Sequence, residues 1–287
     1  MLVPDHLKYS ELVVLCGPPR SGTTWLSRQL CSMPKAFPFL PECSVVTQQI
    51  AQYRHMRSCE PKRFDAYFGT EENLIDFYRT AVARIIDQVI TLNQKSGCST
   101  LVLKDPYLCW YLEDLKDIFP PHRLIVLVRD PRDIMASMKN VTIRKKQRWN
   151  VKKEANELLR FYNPIINHQQ QPCEDSIFLR YEDIVIGQTS PLHDFLGQGS
   201  ENFILSESSI ACVRDQIDSS DPFFSQLYLQ PTTSEKIGSY SKTLYAVEIG
   251  YIEDVFSGVM RRWNYPSTMP NVSNISCQIR RILKMLK

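Results

Sequence analysis

The residues best equipped for chemistry lie in one short run, Gly17-Pro-Pro-Arg20-Ser21-Gly22-Thr23-Thr24-Trp25, directly after the apolar stretch Leu12–Cys16. Two glycines five positions apart permit a tight loop whose amides approach a ligand closely. The helix that opens at Thr23 or Thr24 adds unpaired N–H groups and the positive end of its dipole, which favour an anion. The spacing is the G-x-x-x-x-G of a phosphate-binding loop, but Thr23-Thr24 follow where a nucleoside triphosphatase has Lys-[Ser/Thr]. The one cation, Arg20, sits inside the loop instead. Backbone donors, two hydroxyls and a single guanidinium suit a 5′-phosphate-type group better than a metal-bound triphosphate.

Further cations stand where apolar runs end. Lys104 closes Thr100–Lys104, and Arg129 closes Arg123–Arg129, with Ser137 eight residues on. In an open α/β sheet, ligands bind at the carboxyl ends of strands. Cations gathered on one edge repel each other unless an anion neutralises them. A polyanionic ligand follows. Lys104 also reads as a strand-end lysine in water, and, taken alone, Arg129 reads as a surface ion-pair residue and Ser137 as a helix filler; it is their combination downstream of the loop that points to a ligand. Arg132 reads as solvated or ion-paired. Glu42 fits either a general base or a loop carboxylate in water.

Pro19-Arg-Ser-Gly-Thr-Thr-Trp25 resembles the 5′-phosphosulfate loop of sulfotransferases that use 3′-phosphoadenosine 5′-phosphosulfate (PAPS), in the branches that carry Arg in the loop. The resemblance implies a P-loop-like sheet and PAPS as co-substrate, with no metal. It implies contacts from Arg20, Ser21, Gly22, Thr23, Thr24 and Trp25 to the 5′ side, and from Arg129 and Ser137 to the 3′-phosphate. Lys104 matches the lysine beside the sulfuryl group. Ile177–Asp183 resembles the family segment whose tyrosine, here Tyr181, lies near adenine; Lys236-Ile-Gly238-Ser-Tyr240 resembles the C-terminal cofactor segment. Two departures stand out. Lys104-Asp105-Pro106 lacks the histidine base of the cytosolic members, and the closing Arg-Lys-Gly motif is missing. Tyrosylprotein and several bacterial members carry a catalytic glutamate in the region of Glu42, with Asp105 as the rival here.

The elements that must position these groups follow from hydrophobic pattern. Strands are expected at 12–15, 100–104, 123–129 and 176–180. Helices are expected from Thr23, over 45–56, 73–94, 108–118, 131–139, 150–169 and 246–263, with 58–72 turn-rich. Asp130-Pro131-Arg132-Asp133 is a good helix start. Alternation of strand and helix predicts an α/β fold: a P-loop-like open parallel sheet with helices on both faces, as a single domain over 1–265. Residues 266–287 read as a linker and a short basic amphipathic tail, with Ile275, Ile279, Ile282, Leu283 and Leu286 on one helical face and Arg280, Arg281, Lys284 and Lys287 elsewhere; a membrane-surface contact there is a minor expectation beside docking or fraying.

The chain has 287 residues and a formal charge of +3, too weak a balance to indicate nucleic acid. No apolar run is long enough to span a bilayer, and the first residues lack a signal peptide's pattern. Nine cysteines form neither a disulfide framework nor paired zinc motifs. A cytoplasmic enzyme is expected. The partners expected are PAPS and a small-molecule or carbohydrate acceptor. Two alternatives remain: a P-loop small-molecule kinase, against which Thr23 stands where Lys belongs, and a non-catalytic nucleotide- or glycan-binding protein.

Overall fold

The computed structural model describes residues 11–59, 61–93, 97–171, 173–197 and 234–268. Four apolar runs form its strands: β1 (Glu11–Cys16), β2 (Thr100–Lys104), β3 (Arg123–Val128) and β4 (Ser176–Arg180). They pair in parallel in the order β2-β1-β3-β4. Because successive side chains alternate faces, one layer takes Leu12, Val14, Cys16, Leu101, Leu103, Leu124, Val126 and Val128. The other takes Val13, Leu15, Val102, Ile125, Leu127 and Leu179. Burial on both faces explains why these runs are apolar throughout.

Helices cover both layers. The second layer packs against α1 (Thr23–Cys31), α8 (Tyr181–Val185) and α9 (Ser190–Leu196). The first packs against α2 (Ser44–Arg57), α4 (Glu71–Asn93), α5 (Leu115–Ile118), α6 (Pro131–Arg144), α7 (Val151–Gln169), α10 (Ala246–Val255) and α11 (Ser257–Arg262). The short α3 (Pro61–Tyr67) links α2 to α4. The result is one α/β domain with an all-parallel sheet.

Three expectations need correction. Residues 108–118 are not one helix but a 3-10 turn over Pro106–Tyr111 followed by the single turn α5. Tyr, Cys and Trp are weak helix formers, and Asp105 caps the turn by accepting from the Tyr107 N–H at 2.9 Å. The 58–72 segment contains α3. The final helix breaks at Phe256, where the fully buried ring packs 5.7 Å from Tyr162 and Gly258 weakens the next turn. The basic tail and most of 184–235 lie outside the described residues.

Candidate active site

The loop after β1 is built from backbone conformations that few residues tolerate. A Cβ on Gly17 would stand 2.2 Å from the Leu127 carbonyl oxygen, so only glycine fits against β3. Gly22 has φ +104°, and a Cβ there would meet the Tyr181 ring at 2.6 Å. Arg20 itself takes a left-handed φ of +69°, rare for a residue with a side chain. Gly22 precedes α1, and no side chain caps the helix N-terminus.

The Pro-rich segment after α1 returns along the outer edge of β2. Phe37 N–H donates to Thr100 O (2.9 Å) and Cys43 N–H to Lys104 O (3.0 Å), so the chain tracks the strand from start to end. Glu42 is thereby delivered to Lys104. The Lys104 side chain is 4% exposed, and its Nζ donates to Glu42 Oε1 at 2.8 Å and Thr24 Oγ1 at 3.1 Å. One buried ammonium thus joins the start of α1 to a carboxylate that is 49% exposed at the cleft mouth. Asp105 occupies a different place. It is buried, with one oxygen on the Tyr107 N–H and the other accepting from Thr47 Oγ1 at 2.8 Å. Burial pushes its carboxyl above the usual range.

At the end of β3, Arg129 is buried and centred among residues far apart in sequence. It donates to Arg20 O (3.2 Å) and Lys236 O (2.9 Å), and its guanidinium lies 4.4 Å over the Tyr181 ring. Its Nε is buried with no hydrogen-bond partner among the described residues. Arg20 Nε donates to Ser137 Oγ at 3.1 Å, tying the loop to α6. Trp25 meets Tyr181 edge-on at 5.8 Å. Asp133 holds the segment 236–240 over this cluster, accepting from Gly238 N–H (2.9 Å), Tyr240 N–H (2.9 Å) and Ser239 Oγ (3.3 Å). Burial raises its pKa, against the pull of nearby Arg129 and those N–H donors.

The structure therefore gathers Arg20, Gly22, Trp25, Arg129, Ser137, Tyr181, Lys236 and Gly238 in one cluster, and Thr24, Glu42 and Lys104 beside it. Ser21 differs. Its hydroxyl is fully buried, 2.8 Å from where a Gly17 Cβ would stand, with no partner among the described residues. Thr23 also packs inward against Gly17. Arg132 is not solvated but buried between Asp130 and Glu253.

Sequence reasoning missed Asp133, Glu182 and Tyr162 as supports of the site. Glu182 accepts from Asp130 N–H and from Tyr265 Oη, both at 2.9 Å, and Tyr162 Oη donates to the Arg129 carbonyl. Asp133 lay inside a recognised helix start, but nothing in the sequence connects it to residues a hundred positions later. Among the described residues no group of three or more His, Cys, Asp or Glu is placed to hold a metal ion.

Every strand of the sheet ends in this cluster: β1 in the loop, β2 in Lys104, β3 in Arg129 and β4 in Tyr181. The family model of the sulfotransferase family matches residues 13–198, and the chain belongs to that family. The sulfotransferase domain of the curacin biosynthetic pathway shares the fold, with a TM-score of 0.55 at 18% identity over 87% of this chain and 98% of that one. The sulfotransferase domain of the Synechococcus PCC 7002 olefin synthase does so with a TM-score of 0.53 at 15% identity, over 88% and 97%. No curated relative matches this sequence.

Proposed function

We propose that this protein transfers a sulfuryl group from PAPS to a hydroxyl or amine of a small-molecule or carbohydrate acceptor. The observation that carries the reading is the convergence of the uncapped α1 loop, Lys104 and Arg129 on one sheet edge. The donor set fits such a nucleotide. Arg129 keeps a buried Nε without a partner, in a planar fork suited to phosphate, and the Gly22 cradle closes if a Cβ is added. Bound there, PAPS supplies an activated sulfuryl group on a 5′-phosphate leaving group.

The chain's own residues would then divide the work. The α1 amides, Thr24 and Arg20 hold the 5′ side, and Arg129 with Ser137 holds the 3′-phosphate. Trp25 would flank the nucleotide beside Gly22, with Tyr181 behind it supporting Arg129, and Lys236 and Gly238 lie across Arg129. Lys104 and Arg20 stabilise negative charge growing on the leaving oxygen. Glu42 takes the acceptor's proton, since a carboxylate at the mouth reaches solvent while its neighbour Lys104 reaches the loop. In-line displacement needs little from the protein beyond this positioning and charge.

The test is incubation with PAPS and pooled acceptors, read by mass spectrometry for a sulfated product. 3′-Phosphoadenosine 5′-phosphate (3′,5′-ADP) should also raise Tm well above the shift from ATP with Mg²⁺. Equal shifts from the two nucleotides would refute the reading.

A further inference from the structure

A second surface stands on the turn between α6 and α7. Helix α7 leads down into β4, which enters the sheet opposite the start of β3. Its other end therefore rises past the carboxyl edge. It is level with Arg129 at Tyr162, whose hydroxyl bonds the Arg129 carbonyl, and the helix back to Val151 adds ~16 Å of rise. The α6–α7 turn thus projects beyond the sheet edge that carries the cleft.

The tip of that projection is strongly basic. Residues 143–154 hold six cations, Arg144, Lys145, Lys146, Arg148, Lys152 and Lys153, and one acid, Glu154. Lys146, Arg148, Lys152 and Lys153 are exposed, and no ion pair among the described residues engages them. Three buried cations behave otherwise: Lys104, Arg132 and Lys139 each meet a carboxylate. Lys152 and Lys153 also occupy the first turn of α7, where the helix dipole disfavours positive charge. Fold stability gives no reason for them.

Apolar side chains are interleaved with this charge. Ile143 is 56% exposed, Tyr245 72% and Val247 79%. They form one patch. Lys139 lies 4.3 Å over the Tyr245 ring and pairs with Glu248 at 2.7 Å, while Trp149 Nε1 donates to the same carboxylate at 2.6 Å. Ile143 stands one helical turn beyond Lys139 on the same face, and Val247 lies in the first turn of α10, next in sequence to Glu248, the partner of Lys139.

We propose that this patch docks the protein on an anionic membrane surface. The cations engage lipid headgroups, and Ile143, Tyr245 and Val247 enter the interfacial layer. A soluble polyanion would use the charges but leave the apolar residues without a role, so the combination favours the membrane. No described helix is long and apolar enough to cross a bilayer, and surface docking requires none.

The test is co-sedimentation of the full chain with vesicles of phosphatidylcholine alone or mixed with phosphatidylserine. Binding is expected only with phosphatidylserine, and should weaken about fivefold for each of Lys146, Arg148, Lys152 and Lys153 changed to Gln. Ile143→Ser with Val247→Ser should weaken vesicle binding while leaving retention on a soluble sulfated polysaccharide unchanged. All six positions are exposed, so Tm should hold. Three outcomes would overturn the proposal. The wild type could ignore phosphatidylserine; the Gln variants could bind it as before, placing the contact elsewhere; or the Ser pair could bind as before while the Gln variants lose the polysaccharide, identifying a soluble polyanion instead.

Discussion

Arg129→Gln gives the sharpest test of how the cleft divides its ligand. In the folded protein the guanidinium donates to two main-chain carbonyls, Arg20 O and Lys236 O, and keeps Nε buried and unpaired. A phosphate there gains charge-assisted hydrogen bonds worth about 3 kcal/mol in sum, and displacing one carbonyl returns about 1 kcal/mol. The net, ~2 kcal/mol, corresponds to roughly a 30-fold preference for the nucleotide that carries the phosphate. The substitution also loosens the 236–240 segment and removes the stack on Tyr181, which affects any nucleotide. A comparison of ligands cancels that shared loss. Titration calorimetry with 3′,5′-ADP and with 5′-AMP, on wild type and variant, should show the preference collapsing by about 30-fold. If both nucleotides weaken equally, Arg129 supports the fold and the 3′-phosphate lies elsewhere.

Gly22→Ala should cost ~2 kcal/mol or more, because its Cβ would sit 2.6 Å from the Tyr181 ring at φ +104°. Gly238→Ala, with nothing within 4 Å, should cost only the left-handed backbone term of ~1 kcal/mol; equal losses of Tm in the two would show that the ring contact is unimportant. Glu42→Gln should keep nucleotide affinity and lose about 10²-fold in turnover, whereas Asp105→Asn should chiefly lower Tm by weakening a cap and the Thr47 contact. Near-normal turnover in the first with abolished turnover in the second would make Asp105 the base. Burial alone would raise the Glu253 pKa, but donors from Ser267, Thr268 and Arg132 outweigh it and hold the carboxyl down to about 2. A depressed carboxylate stabilises the fold above its ordinary pKa of 4.5 and loses that contribution as pH falls toward 2. The urea stability of wild type over Glu253→Gln should therefore shrink between pH 5 and pH 3, from on the order of 3 kcal/mol near neutrality; a constant gap would contradict the assignment.

The sheet was legible because its strands are buried on both faces and so read as unbroken apolar runs. Leu12 to Cys16, five apolar residues between Glu11 and Gly17, are buried on alternating layers. The loop was legible because glycine spacing reports backbone geometry directly. Helix interiors also showed through, α4 by its buried Leu74, Tyr78, Val82, Ile86 and Ile90. The 3-10 turn after β2 reads in sequence as part of a longer helix; its cap, Asp105 on the Tyr107 N–H, is local, but that carboxylate's second partner, Thr47 of α2, is tertiary. Supports such as Asp133 and Glu182 were hidden. Their partners are tertiary, and a buried carboxylate looks in sequence like any other helix-start acid.

The pair Arg129 and Arg132 shows where residue type stops being informative. Both stand in one five-residue motif, both are buried, and either could be read as a phosphate ligand. Arg132 spends its donors at once: Nε and Nη2 on Asp130, at 3.0 Å and 2.6 Å, and Nη1 on Glu253 at 2.6 Å, with its face on Tyr240. Two carboxylates around one guanidinium leave a net negative local charge, which repels a phosphate. Removing one partner would strand a buried charge at a cost of about 3–5 kcal/mol, so Arg132 is committed to joining α6 to α10. Arg129 has carbonyls where Arg132 has carboxylates. Carbonyls satisfy donors without cancelling charge, so Arg129 bonds no carboxylate directly, although Asp133 and Glu182 stand near enough to feel its charge. Three residues apart in the chain, the same side chain is therefore committed to ion pairs at Arg132 and, in the function proposed above, kept for an anion at Arg129; the difference lies in what accepts its hydrogen bonds.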